Sequence, residues 1–229
     1  MAKLRNLFLI ATAAATLGLA ACGDDDSGGG GTATLRVVHA SPDAPNVDVY
    51  VDGTLVLSDV PYGVASAYLP VRSGTSNVQV NAAGTATTVI DADIDLNRDS
   101  ASTVMAINNL ADIEPLLLAD DQSPPASGLA KLRAVHGAPS APPVDIYVTA
   151  PGAPLATPTL EDVPFGAASD YLSVPAGTYQ VRVTVAGTTD VAIDTGPVTV
   201  PAGSVSTAVA LDADGGGAPF SVLLLNDLG

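Results

Sequence analysis

A chain of 229 residues with 24 acidic against 8 basic side chains carries a net charge of −16, which repels nucleic acid and anionic lipid headgroups and excludes both as partners. The length has room for about two domains. Only 14% of residues are charged and no Trp occurs, so strand surfaces must be covered by Thr, Ser and Ala, and a stacking platform for sugars has little to be built from.

The chain opens with Lys3 and Arg5 and an apolar run from Leu7 to Leu19, too short to span a bilayer as a stable helix. Residues 1–21 therefore read as a secretory signal peptide. It ends in Leu19-Ala20-Ala21-Cys22, which resembles the bacterial lipobox, and that resemblance implies lipidation of Cys22 as the new N-terminus. Cys22 is the only cysteine, so no disulfide can form within the chain. Stable anchoring takes more than one acyl chain, which multiple acylation of Cys22 would supply. Loss of Lys3 and Arg5 leaves 6 basic residues against 24 acidic ones, a net of −18. Residues 22–33, with Asp24 to Asp26 followed by a Gly-rich stretch, cannot bury apolar surface and read as a flexible tether.

From Thr32 the hydrophobic period becomes two. Leu35, Val37 and His39 share one face of a strand, with Arg36, Val38 and Ala40 on the other. A Pro-rich loop leads to Val47, Val49 and Val51 on one face, with Asp48 and Tyr50 opposite. Asp52-Gly53 is a hairpin signal returning through Thr54 to Leu57. Further strands are expected near Ala65 to Leu69, Ser76 to Ala82, Thr85 to Asp95, Ala101 to Asn108 and Ile113 to Ala119. About seven short strands fit an all-β, immunoglobulin-like antiparallel sandwich over residues 34–121. After a linker at 122–130 the pattern starts again.

Val38 to Val51 recurs at Val135 to Val148, shifted by 97, and Asp59 to Gly63 recurs at Asp162 to Gly166, shifted by 103. The six extra residues lie in the Pro-rich segment Thr149 to Pro158, a lengthened loop. The triplets Leu116 to Leu118 and Leu223 to Leu225 also correspond, and read as final strands buried on both faces. Residues 131–229 thus form a second sandwich, and the fold is two tandem repeats. The doubled segment, Val-His-Ala-Ser-Pro-Asp-Ala-Pro-Asn-Val-Asp-Val-Tyr in its first copy, resembles bacterial domain-of-unknown-function family 4397. The second copy departs from it at Gly137, Ala138 and Ser140. The resemblance covers about Leu35 to Asp121 and Leu132 to Asp227, and implies an exported, envelope-associated β-sandwich module without an established activity.

His39 and His136 are the only histidines. With Asp43, Asp48 or Asp145 they suggest a metal or catalytic group, but Asp43 becomes Ser140 in the second copy, and a strand-end His tying down its Pro-rich loop accounts for the doubling. Asp48 with Tyr50, and Asp145 with Tyr147, form either a ligand face or the polar side of a strand. On the second view, Asp48 pairs across strands with Arg36 and Asp145 with Arg133. Asp91, Asp93 and Asp95 resemble the start of a calcium loop but lack its Gly and Glu, so they read as a solvated strand face with weak calcium binding as the alternative. No nucleophile elbow, phosphate loop or zinc-binding helix motif occurs.

Lipidation at Cys22 with catalytic and metal residues absent predicts a non-enzymatic protein held on the bacterial cell envelope by an N-terminal lipid anchor. Its two modules would meet an envelope protein or polysaccharide, with the copy-specific loop Thr149 to Pro158 as the expected contact. No cofactor is expected. A glycan-modifying hydrolase and a calcium-dependent adhesion module are the alternatives.

Overall fold

In the computed structural model, residues 31–228 are described; the signal peptide, Cys22 and most of the tether expected from the sequence lie outside the described residues. Repeat 1 contains β1 (Thr32–His39), β2 (Val47–Val51), β3 (Thr54–Val60), β4 (Leu69–Arg72), β5 (Gly74–Ala82), β6 (Thr88–Leu96), β7 (Ala101–Ile107) and β8 (Glu114–Asp120). Repeat 2 contains β9 (Leu129–His136), β10 (Val144–Thr149), β11 (Leu160–Val163), β12 (Leu172–Pro175), β13 (Gly177–Val185), β14 (Val191–Val200), β15 (Val205–Leu211) and β16 (Ser221–Asn226). The alternation in the sequence thus resolves into an all-β protein of two sandwich-like halves. Each half has one sheet in the order β4-β1-β7-β8 or β12-β9-β15-β16, and a second in the order β3-β2-β5-β6 or β11-β10-β13-β14. One ladder in each half is parallel, β1 with β7 and β9 with β15.

The Asp52-Gly53 hairpin forms as the dipeptide predicts, with positive φ of 49° and 75° at its two central residues. That pair matches the twist of the flanking strands, and Gly53 meets it without steric penalty. The strand expected near Ala65 to Leu69 lies further along. Ala65 makes only an isolated bridge to Val38, and the ladder begins at Leu69.

The Leu triplets are a clearer correction. β8 and β16 are edge strands, and Leu117 and Leu224 are exposed at 41% and 62% while Leu118 and Leu225 are buried. An apolar run cannot reveal by itself whether a strand has neighbours on both sides.

Leu35 and Val37 of β1 pack with Val47, Val49, Val78, Val80 and Val104 inside repeat 1. The opposite face of the same sheet is buried too. Val38, Met105, Ile107 and Leu118 form one cluster with Val135, Val209, Leu211 and Leu225 of repeat 2. The two halves are therefore joined face to face through their β1 and β9 sheets, and the face of β1 that carries Val38 and Ala40 is part of an inter-repeat core.

Candidate functional site

The doubled His-Pro-loop segment places each imidazole at the end of its first strand. His39 Nε2 donates to the Pro45 carbonyl at 3.0 Å, and His39 Nδ1 accepts from the Ser41 amide at 3.4 Å. A carbonyl can only accept, so the imidazole is the neutral Nε2–H tautomer. His136 repeats this with the Pro142 carbonyl at 3.1 Å and the Ala138 amide at 3.4 Å. Burial pushes both imidazoles below the ordinary histidine range, opposed by the loop carbonyl in each case and at His136 also by Asp212. An aromatic edge closes over each ring, Tyr62 on His39 and Phe165 on His136. The Tyr62 hydroxyl crosses to the Asp212 carbonyl of repeat 2 at 2.9 Å, and burial followed by the charges of Asp212 and Asp214 raises its pKa to about 12.

Asp48 and Asp145 do not pair with arginine, contrary to the cross-strand expectation. Asp48 accepts the Asp59 amide at 2.8 Å and the Gly84 amide at 2.9 Å, which holds its carboxyl below the usual range. Asp145 accepts Asp162 and Gly187 amides at the same distances. Each carboxylate thus fastens two turns to β2 or β10, and Asp59 and Asp162 are held at positive φ there. Tyr50 is half-buried beside Asp48, whereas Tyr147 is buried. Asp43 accepts the Leu110 amide at 2.7 Å and sits apart from the His39 ring nitrogens' partners.

Both arginines send their terminal nitrogens instead to the other repeat, while the Nε of each stays with a threonine of its own repeat. Arg36 Nη2 meets Asp227 at 2.5 Å, Nη1 donates to the Asn226 carbonyl at 2.9 Å, and Nε donates to Thr103 at 3.0 Å. Arg133 reciprocates with Asp120 at 2.5 Å, the Ala119 carbonyl at 2.9 Å and Thr207 at 2.9 Å. Tyr68 and Tyr171 lie under the two guanidinium groups at 4.7 and 4.6 Å. Their hydroxyls donate to Asp120 at 2.8 Å and Asp227 at 2.9 Å. Burial first, and then the aspartate at Tyr68, raises the tyrosine pKa values, that of Tyr171 to about 12. The exchange of partners is the pattern of a two-fold interface within one chain.

Sequence reasoning missed Asp120 and Asp227. Their signal was present, because each follows its Leu triplet by two residues.

Asp91, Asp93 and Asp95 lie exposed on β6, where Asn77 bridges the first two at 2.8 and 3.0 Å and Thr75 donates to Asp95 at 2.6 Å. Among the described residues no group of three or more His, Cys, Asp or Glu is placed to hold a metal ion, and no helix is long and apolar enough to cross a membrane. The Pro-rich loop after β10 is pinned to β13. Arg182 donates to Thr149 and to the Ala153 carbonyl, and Gln180 accepts the Gly152 amide at 2.8 Å. Beside it an open hollow of about 860 Å³ is lined by Asp145, Glu161, Asp162 and Asp190; repeat 1 has Ser58 and Thr87 where Glu161 and Asp190 stand.

Repeat 2 also has an apolar cleft of about 330 Å³ between its two sheets, walled by residues such as Leu132, Ile146, Val181 and Val198. Its origin is visible residue by residue. Val37 of β1 faces Val104 of β7, whereas the matching pair in repeat 2 is Ala134 and Ala208. Ser76 is replaced by Tyr179, and β14 carries a bulge where Gln180 pairs with Pro197 but Arg182 with Asp194. The valine pair is buried; the alanine pair is only half-buried. β6 and β8 also approach each other more closely than β14 and β16.

These features define a double β-sandwich module whose buried polar groups secure turns and join repeats. The chain belongs to the family described as "Domain of unknown function (DUF4397)", whose profile matches residues 33–147 and 149–228. No curated protein matches the chain. Among solved structures it is similar to a carbohydrate-binding module, CBMbc of family CBM26 from Eubacterium rectale Amy13K in complex with maltoheptaose, at 11% identity and a TM-score of 0.24, over 83% of this chain and 95% of that one.

Proposed function

We propose that this protein is a non-catalytic binding module of the bacterial cell envelope, lipid-anchored through Cys22, that presents a rigid pair of sandwiches to an envelope protein or polysaccharide. The observation that carries this reading is the reciprocal Arg36–Asp227 and Arg133–Asp120 clamp. A buried ion pair of this kind fixes one arrangement of its neighbours more than it adds stability, so the two repeats behave as one body and their loops keep a constant spacing. The residues best suited to chemistry are occupied elsewhere: both imidazoles hold their own loops, and Asp48 and Asp145 hold turns. The loop from Thr149 to Pro158, six residues longer than its counterpart in repeat 1 and braced by Arg182, is the contact surface in this proposal.

Two experiments test it. Metabolic labelling with a radioactive fatty acid should mark the native protein in the membrane fraction, and Cys22→Ser should lose both label and membrane association; an unlabelled native protein would end the anchoring proposal. Envelope material captured on residues 32–229 should be lost when residues 149–158 are deleted, and equal recovery would refute the loop as the contact. Release of reducing ends from envelope polysaccharide by the purified protein would overturn the non-catalytic reading.

A further inference from the structure

The cleft in repeat 2 has no role in the proposed function, and the sequence difference that creates it is specific. In repeat 1 every residue of β7 is buried, on both faces of the strand. In β15 the face toward the other repeat is buried at Val205, Thr207, Val209 and Leu211, while Ser206, Ala208 and Ala210 on the inner face are only half-buried. Protein interiors are ordinarily filled to the density of organic crystals. An inner face left half-covered in one repeat, and filled in the other by the same fold, leaves space open to an apolar ligand.

We propose that the inter-sheet cleft of repeat 2 is a binding site for a single unbranched, uncharged aliphatic chain, such as the hydrocarbon portion of a neutral lipid. Shape is the first argument. Lining residues run along β15 from Ser204 to Ala210, about 20 Å at strand rise. With a volume of about 330 Å³, the cleft is long enough for an aliphatic chain to lie extended along the strand. Chemistry is the second. The wall is aliphatic apart from the Tyr179 ring and a few hydroxyls, and its one ionic residue, Arg133, spends its guanidinium on Asp120, Thr207 and the Ala119 carbonyl on the far side of the sheet. Nothing there compensates a carboxylate, and the net charge of −16 disfavours an anionic ligand further. The third is the lip, where Val222 and Leu224 line the cleft and stand exposed at 36% and 62%, offering apolar surface to a chain as it enters.

This inference goes beyond the proposed function and fails separately from it, since neither acylation of Cys22 nor capture through residues 149–158 involves the cleft. The test uses residues 32–229, which contain both cores and the interface between them, with 1-dodecanol as probe. At tenfold above its Kd, dodecanol should raise Tm by about 3 °C or more. Cyclododecanol, with the same carbon count in a ring, and dodecanoate should bind at least tenfold more weakly. The double variant Ala134→Val, Ala208→Val restores the residues of repeat 1; it should keep its fold and lose dodecanol binding at least tenfold. If the double variant does not fold, Ala208→Val alone serves the same purpose. Absence of a Tm shift, an equal shift in the filled variants, or equal binding of the ring alcohol would overturn the proposal. So would a concentration-dependent dimer in sedimentation that the filled variant abolishes, which would assign the cleft to a second copy of this chain.

Discussion

Repeats 1 and 2 share strand order, imidazole ties, Asp-held turns and arginine clamps, yet only repeat 1 has a filled interior. Its internal cluster includes Leu35, Val37, Val78, Val80 and Val104, whereas the internal cluster of repeat 2 has only Val144, Ile146, Val183 and Ile193 as buried members. The polar positions that fix turns and the interface are common to both repeats, and the apolar filling is not. The geometry of this fold therefore rests on its hydrogen-bonded corners and shared inter-repeat core, which tolerate a looser sandwich on one side.

The comparison can be broken most forcefully at what the repeats share. Asp227→Ala leaves buried Arg36 with only the more distant Asp120, at 3.7 Å, as counter-charge, and should lower the unfolding free energy by about 3 kcal/mol in urea denaturation. Asp120→Ala should cost a similar amount through Arg133. A much smaller loss in one of them would show that the clamps are not equivalent.

The interiors should respond differently. Val37→Ala empties a packed site and should cost about 2 kcal/mol, near the transfer free energy of two methyl groups plus the cavity left behind. Ala134→Val fills an existing space and should be neutral or stabilising by up to about 1 kcal/mol, checked by the same denaturation curves. A loss at position 134 equal to that at position 37 would mean that both interiors are equally tight.

Acid should act on both repeats alike. Burial lowers the folded-state pKa of both imidazoles from 6.5, so below about pH 6.5 the unfolded chain takes up protons that the folded chain refuses. Stability is fully present above pH 6.5 and falls as pH drops toward the folded-state values, with a slope of at most about 1.4 kcal/mol per pH unit for each histidine. His39→Gln and His136→Gln should each flatten that slope in urea denaturation between pH 6.5 and 5. Asp48, whose pKa is lowered from 3.8 by the Gly84 and Asp59 amides, adds a further loss as pH falls below about 3.8. The smallest effect is expected in the loop that is longer in repeat 2. Arg182→Ala should speed amide exchange at Gly152 and Ala153 while changing global stability by less than about 1 kcal/mol.

The duplication, the all-β class, the hairpin at Asp52-Gly53 and the division of β1 into two faces are legible in the sequence, because they follow from the repeated segments, local periodicity and turn chemistry. The sequence does not determine what those faces meet. Arg36 and Asp48 look like neighbours on adjacent strands, but Arg36 reaches Asp227, 191 residues away. The Leu triplets look central but form edges. Ala134 and Ala208 look like unremarkable small residues until β9 and β15 set them side by side beneath the second sheet. Each of these outcomes depends on a surface brought in from distant sequence, and only the tertiary structure decides whether an apolar or charged face finds another repeat, solvent or an empty cleft.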